Sequence, residues 1–247
     1  MEGAYLKRGI LFIHGFTGNT TEVQPLVDYL MGKRSEWTCS VVTLTGHGEV
    51  LNLKGVSSEH WFRDVENAYR LLEKQVDEVI VVGFSMGGLL ALYLALRYRV
   101  KKLILLSTAA KFVDVKKLFL TCKELIKQRK QLTTAQARFL QAAINQTRHM
   151  TVPTMKHFLK VVHTVLPYLH RIHQPTMIIQ GEKDGVVPKE AASFLYEQIQ
   201  SVDKQMYFSK SGEHHICYSD DQNEWFERVF QFIIADKRNQ NIMPDCN

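Results

Sequence analysis

Cysteine, long apolar runs and flexible linkers are all scarce in this chain. Only four cysteines occur among 247 residues (Cys39, Cys122, Cys217 and Cys246), and their spacing fits neither a disulfide framework nor a metal site. They read as reduced thiols, with Cys39 and Cys217 packing in a strand or the core. No run of about 18 apolar residues occurs, so no membrane span is expected. The six prolines and fourteen glycines never gather into a linker, and no repeat or low-complexity tract interrupts the chain. That excludes repeat arrays and tethered modules, so residues 1–247 read as one domain. The start, Met1 to Arg8, has no basic segment followed by an apolar one, so no secretory leader and a cytoplasmic location are expected. The polar tail after Ala235 is expected to fray.

Acidic residues are scarce in one place. From Lys111 to His173 there are twelve Lys and Arg but only two acids, Asp114 and Glu124, while the whole chain carries a net charge of +6. Everything outside that segment is therefore net acidic. The same segment holds an apolar series including Phe112, Leu118, Phe119, Phe139, Ile144, Met155, Phe158 and Val162. A basic amphipathic helical insertion of this kind, at about 111–173, suits a small cap seated over the rest of the domain. Its apolar side would meet a hydrocarbon chain, and its basic side water or, weakly, an anionic lipid surface. The plainer reading is that the charges only solubilise the cap and the apolar residues only seat it. Nucleic acid is not an expected partner, since no reading module accompanies the charge.

What is present in quantity is alternation of strands and helices. Short β-branched or apolar runs at Ile10–Ile13, Cys39–Thr43, Glu78–Val82, Lys102–Leu106, Thr176–Gln180 and Gln205–Phe208 read as strands. Between them, helices are predicted at Val23–Met31, Ser58–Lys74, Gly88–Leu96 and Lys189–Ile199, with a closing helix at Asp220–Ala235. Ser57 or Ser58 is a ready N-cap for the second, with Trp61, Val65, Ala68 and Leu72 along its buried face. Such alternation predicts an α/β fold: a mostly parallel central sheet wrapped on both faces by helices.

The chemistry sits in the turns. Gly83-Phe84-Ser85-Met86-Gly87 lies between the third strand and an apolar helix, the context of a nucleophile elbow, with the Ser85 hydroxyl exposed at its tip. A serine needs a base, and the base an orienting acid. Asp184, in the loop after Thr176–Gln180, is the candidate acid and Glu182 its competitor. The loop after the last strand, Ser211-Gly212-Glu213-His214-His215, offers two candidate bases. The glycine-bearing loop His14-Gly15-Phe16-Thr17-Gly18-Asn19 follows the first strand. Its position assigns one oxyanion donor to the amide of Phe16, the other coming from Met86, just after the nucleophile. His14 reads as a brace for that loop.

With Gly46-His47-Gly48, these motifs resemble those of the small bacterial carboxylesterases and monoacylglycerol lipases of the α/β-hydrolase superfamily, over nearly the whole chain. In those enzymes the base follows a Ser-Gly pair directly, whereas here Glu213 intervenes. A gap-free comparison through Phe230-Gln231-Phe232 places the base on His214, while aligning on Ser211-Gly212 would favour His215. The resemblance implies a capped α/β-hydrolase fold and a serine hydrolase acting on acyl esters or monoacylglycerols without metal or cofactor. Thioester or amide cleavage at the same site is an alternative, and a non-catalytic ligand-binding member of the fold a more distant one.

Overall fold

Side chains alternate between two apolar clusters along strand after strand, and that alternation builds the molecule. In the computed structural model, residues 6–48, 50–110 and 152–235 are described. Six strands, β1 (Arg8–Ile13), β2 (Thr38–Val42), β3 (Glu78–Phe84), β4 (Val100–Leu106), β5 (Thr176–Gly181) and β6 (Lys204–Ser209), form one sheet in the order β2-β1-β3-β4-β5-β6. All five pairings are parallel. Leu11, Ile13, Val81, Leu103 and Leu105 face one cluster, whereas Ile10, Phe12, Ile80, Val82 and Ile104 face the other. Both faces are thus buried, as a parallel sheet requires.

Chain direction decides which helix covers which face. The chain steps from β1 outward to β2 and then back across β1 to β3, and right-handed crossovers place helices of opposite steps on opposite faces. Accordingly α1 (Gln24–Lys33) lies on one face and α2 (Ser58–Glu73) on the other. The steps to β4, β5 and β6 continue in the second direction. Their helices α3 (Met86–Arg97), α4 (Val152–Val165) and α5 (Glu190–Gln198) share the face of α2. The last helix, α6 (Gln222–Ile234), returns to α1, where Tyr29 stacks near Phe226 at 5.3 Å and its hydroxyl donates to Glu227 at 2.5 Å.

One sequence expectation shifts in detail. The buried face of α2 runs through Trp61, Val65, Tyr69 and Leu72. Ala68 is only partly buried, because Tyr69, one helical turn beyond Val65, takes the inward position. Of the expected cap, residues 111–151 lie outside the described residues, and most of the basic series with them. The remainder forms α4 and a 3-10 helix, Leu166–Arg171. Here Met155, Phe158, Val161 and Val165 belong to the core they share with α2 and α3, and Lys160 pairs with Glu59 of α2. Cys39 and Cys217 are unbridged. Burial pushes the Cys39 thiol up to about 11 and that of Cys217 higher still. Cys122, Cys246 and the tail beyond Ala235 are outside the described residues. Among the described residues, no helix is long and apolar enough to cross a membrane.

The reversal between β1 and β3 is a topological switch point. In open α/β sheets the loops there diverge at the carboxyl ends of the strands and leave a crevice. The candidate residues fall on that edge, in loops or, for Met86, at the first position of α3.

Candidate active site

Ser85 sits between the end of β3 and the first residue of α3. Its backbone is at φ 53° and ψ −115°, a region non-glycine residues rarely adopt, at a strain of roughly 1–3 kcal/mol. Neighbouring backbone enforces it. Ser85 N–H donates to Leu106 O at 2.9 Å, and its carbonyl accepts from Gly88 N–H at 3.1 Å and Ala109 N–H at 3.3 Å. The turn also depends on a missing side chain, since a Cβ on Gly87 would stand 2.2 Å from Ile13 O. Neither backbone segment can retreat. Gly87→Ala is therefore expected to lose at least about 2 kcal/mol of stability, read from urea unfolding, by analogy with overpacked cores. An unchanged midpoint would contradict this geometry. One expectation is corrected here: Ser85 is only 8% exposed, not presented openly, because its backbone is bonded to Leu106 and Ala109 while Gly87, two residues on, lies against Ile13 and His14.

The acid and the histidines follow β5 and β6. Asp184 has a fully buried side chain, whereas its competitor Glu182 is exposed. Its Oδ1 accepts from the amides of Val186 and Val187, both at 2.8 Å. Its Oδ2 accepts from Gln180 Nε2 at 3.1 Å and lies 2.9 Å from His214 Nδ1. Burial alone would raise the pKa of this carboxyl. The charge and hydrogen bond of His214, with the two backbone amides, outweigh that and hold it below its ordinary value. His214 also packs its ring on Phe84, the residue before Ser85, at 5.1 Å. Among the described residues, no hydrogen bond joins Ser85 Oγ to His214.

His215 has a different partner. Its Nε2 lies 3.1 Å from Oε1 of Glu22, a buried carboxylate in the 3-10 helix Thr20–Glu22. Each of the adjacent histidines therefore faces a carboxylate of its own. The segment carrying both is tied down by Asp221, which accepts from Ser209 Oγ at 2.5 Å, Ser211 Oγ at 2.7 Å and Lys210 N–H at 3.0 Å. Burial opposes ionisation of Asp221, but these donors prevail and pull its pKa down to about 2.

On the loop after β1, His14 is wholly buried. Its Nδ1–H donates to Gly15 O at 2.9 Å, and its Nε2 accepts from Leu44 N–H at 3.2 Å. Burial lowers its pKa and keeps the ring neutral, the state this donor-and-acceptor pattern requires. Burial likewise depresses His47, next to it, to about 4. The Phe16 ring packs between Trp61 at 5.8 Å and Phe158 of α4 at 5.4 Å, forming an apolar wall beside the crevice. Met86 opens α3, where backbone N–H groups have no intrahelical acceptor. Among the described residues, no group of three or more His, Cys, Asp or Glu is arranged to hold a metal ion.

Sequence reasoning missed Glu22, Gln180 and Asp221. Glu22 carried one legible signal, since Asn19-Thr20-Thr21-Glu22 has capping-box spacing. Asn19 Oδ1 does accept from Thr21 N–H at 2.9 Å, but Glu22 reaches into the crevice loop and not back to the cap.

Several known proteins are similar to this chain. A family model described as "Serine aminopeptidase, S33" matches residues 5–221. A carboxylesterase of Bacillus subtilis (strain 168) is 22% identical over 228 residues, covering 92% of both chains. A thermostable monoacylglycerol lipase of Bacillus sp. (strain H-257) is 25% identical over 228 residues, covering 91% of this chain and 90% of that protein. A solved structure described under LipS and LipT, two metagenome-derived lipolytic enzymes, has a TM-score of 0.74 at 22% identity, covering 92% of this chain and 94% of its own. The fold is that of the α/β-hydrolases.

Proposed function

The chain belongs to the serine aminopeptidase family of hydrolases, whose model spans residues 5–221, and within it we propose an enzyme that cleaves carboxylic esters through an acyl-enzyme on Ser85. The observation that carries this reading is the 2.9 Å contact between His214 Nδ1 and Asp184 Oδ2, on the strand edge that also bears the Ser85 elbow. The esterase and lipase relatives support the choice of ester.

The chemistry follows from the atoms. With Nδ1–H donating to Asp184, His214 keeps the Nε2 lone pair for the Ser85 proton. As that proton leaves, Ser85 Oγ attacks the acyl carbon, and the carbonyl oxygen gains a negative charge taken up by the amides of Phe16 and Met86. Collapse expels the alcohol, which takes the proton from His214. Water then attacks the acyl carbon as it gives a proton to the same nitrogen, and collapse releases the acid while His214 returns that proton to Ser85 Oγ. Asp184 remains ionised throughout and stabilises the imidazolium.

Thioesters and amides present the same carbonyl to the same groups, so the leaving group is tested directly. Matched p-nitrophenyl ester, monoacylglycerol, thioester and p-nitroanilide substrates with one acyl chain should rank with the oxygen esters highest in kcat/KM. A tenfold preference for the thioester or the anilide would replace the ester assignment.

The apolar wall of Phe16, Trp61 and Phe158 adds an expectation about acyl length. Each methylene buried against it adds about 0.8 kcal/mol of binding, or roughly fourfold in kcat/KM, until the pocket is full. Medium-chain esters should thus exceed acetate by an order of magnitude or more. A flat rate from acetate to laurate would show that the wall does not receive the acyl chain.

A further inference from the structure

We propose that Glu22 and His215 form a latch between the loop bearing the base and the loop bearing the oxyanion donor, and that this latch aims the Phe16 N–H. The inference rests on the ester-hydrolase reading above and assigns a positioning role to two residues outside the Ser85, His214 and Asp184 set.

The argument starts from the peptide plane. Gly15 C=O and Phe16 N–H belong to one planar trans unit and point in opposite directions, so fixing the carbonyl fixes the amide. That carbonyl accepts from His14 Nδ1–H at 2.9 Å and from Gly18 N–H at 3.4 Å. The preceding peptide is held as well, because Gly15 N–H donates to Glu22 Oε2 at 2.9 Å. Gly15 is therefore gripped at both of its backbone polar groups, one residue before the proposed donor. The carboxylate fits there only because residue 18 is glycine: a Cβ on Gly18 would stand 2.0 Å from Glu22 Oε2.

The second carboxylate oxygen reaches across the crevice. Glu22 Oε1 lies 3.1 Å from His215 Nε2, and Tyr218 OH donates to Thr21 O at 2.7 Å, so two ties join the loop after β1 to the segment after β6. His215 adjoins His214, and its ring packs against Phe84 at 5.7 Å, beside that of His214. A buried carboxylate is tolerated only when its oxygens are paired, and here one holds an amide and the other an imidazole. Burial alone would raise the pKa of Glu22. His215, His14 and the Gly15 amide together hold it below its usual range. Base and oxyanion donor are thus set by one connected unit.

The test separates transition-state binding from folding. Glu22→Ala should lower kcat on a soluble ester about 10- to 100-fold with KM within about threefold, below the 10²–10³ typical of losing an oxyanion donor outright. A trifluoromethyl ketone adds to Ser85 Oγ, passes the serine proton to His214 and leaves a negative oxygen in the same hole. Its affinity should fall by the same factor as kcat. Glu22→Gln keeps an acceptor for Gly15 N–H and a donor toward the ring, and should restore kcat to within about fivefold of wild type. Folded Glu22→Ala with kcat and ketone affinity both within threefold of wild type overturns the latch. Should that variant not fold, His215→Ala, which leaves the Gly15 bond in place, decides: a parallel three- to tenfold fall in kcat and ketone affinity supports the proposal, and no fall in either overturns it. These outcomes are distinct from failure of the hydrolase reading, in which wild-type Ser85 would not react with the ketone at all.

Discussion

Ser85→Ala is expected to lower ester turnover by about 10⁴- to 10⁶-fold while leaving the protein folded, the range usual for removing one member of a unit that acts together. Without the hydroxyl no acyl-enzyme forms, and only the oxyanion donors and substrate binding remain. The fold should survive because the elbow is enforced by backbone hydrogen bonds, donated to Leu106 O and accepted from Gly88 and Ala109 N–H, none of which involves the side chain. Alanine also tolerates the φ of 53° no worse than serine does. Thermal unfolding should therefore move little while steady-state turnover collapses. Retention of more than a few per cent of wild-type turnover by pure mutant protein would remove Ser85 from its role.

His214→Ala should be as damaging as Ser85→Ala, whereas His215→Ala should lose about tenfold or less. Triad members fail as a unit, while a neighbour that only positions a loop contributes part of one interaction. The ranking follows from their partners: Asp184, anchored by the Val186 and Val187 amides, faces His214, whereas Glu22, anchored on Gly15, faces His215. The two variants are compared by kcat/KM on one soluble ester. A reversed ranking would transfer the base to His215 and Glu22.

What was legible in the chain was local. The run Glu78 to Val82, the G-x-S-x-G turn and the Leu/Ala-rich segment after it are contiguous, and period and composition alone identify strand, elbow and helix. Asp184 and the histidine pair were legible because each follows an apolar run at the end of the chain's strand–helix alternation. What stayed hidden was pairing across long separations. His215 and Glu22 meet across 193 positions, and no local pattern announces that a glutamate of capping-box spacing will turn into the crevice. Composition likewise cannot distinguish two adjacent histidines, because the distinction lies in which carboxylate each one faces. The enclosure of Ser85 was misread for a related reason: its backbone partners Leu106 and Ala109 lie at and after the end of β4, remote from the elbow in sequence.

The most direct test of the central claim is covalent. Native protein treated with a fluorophosphonate ester should gain one adduct by intact mass, with loss of fluoride, and peptide mapping should place it on Ser85. Ser85→Ala should gain none, and His214→Ala should label far more slowly than wild type. A folded wild-type protein that stays unlabelled, or an adduct mapped to any other residue, would contradict the assignment of Ser85 as the nucleophile.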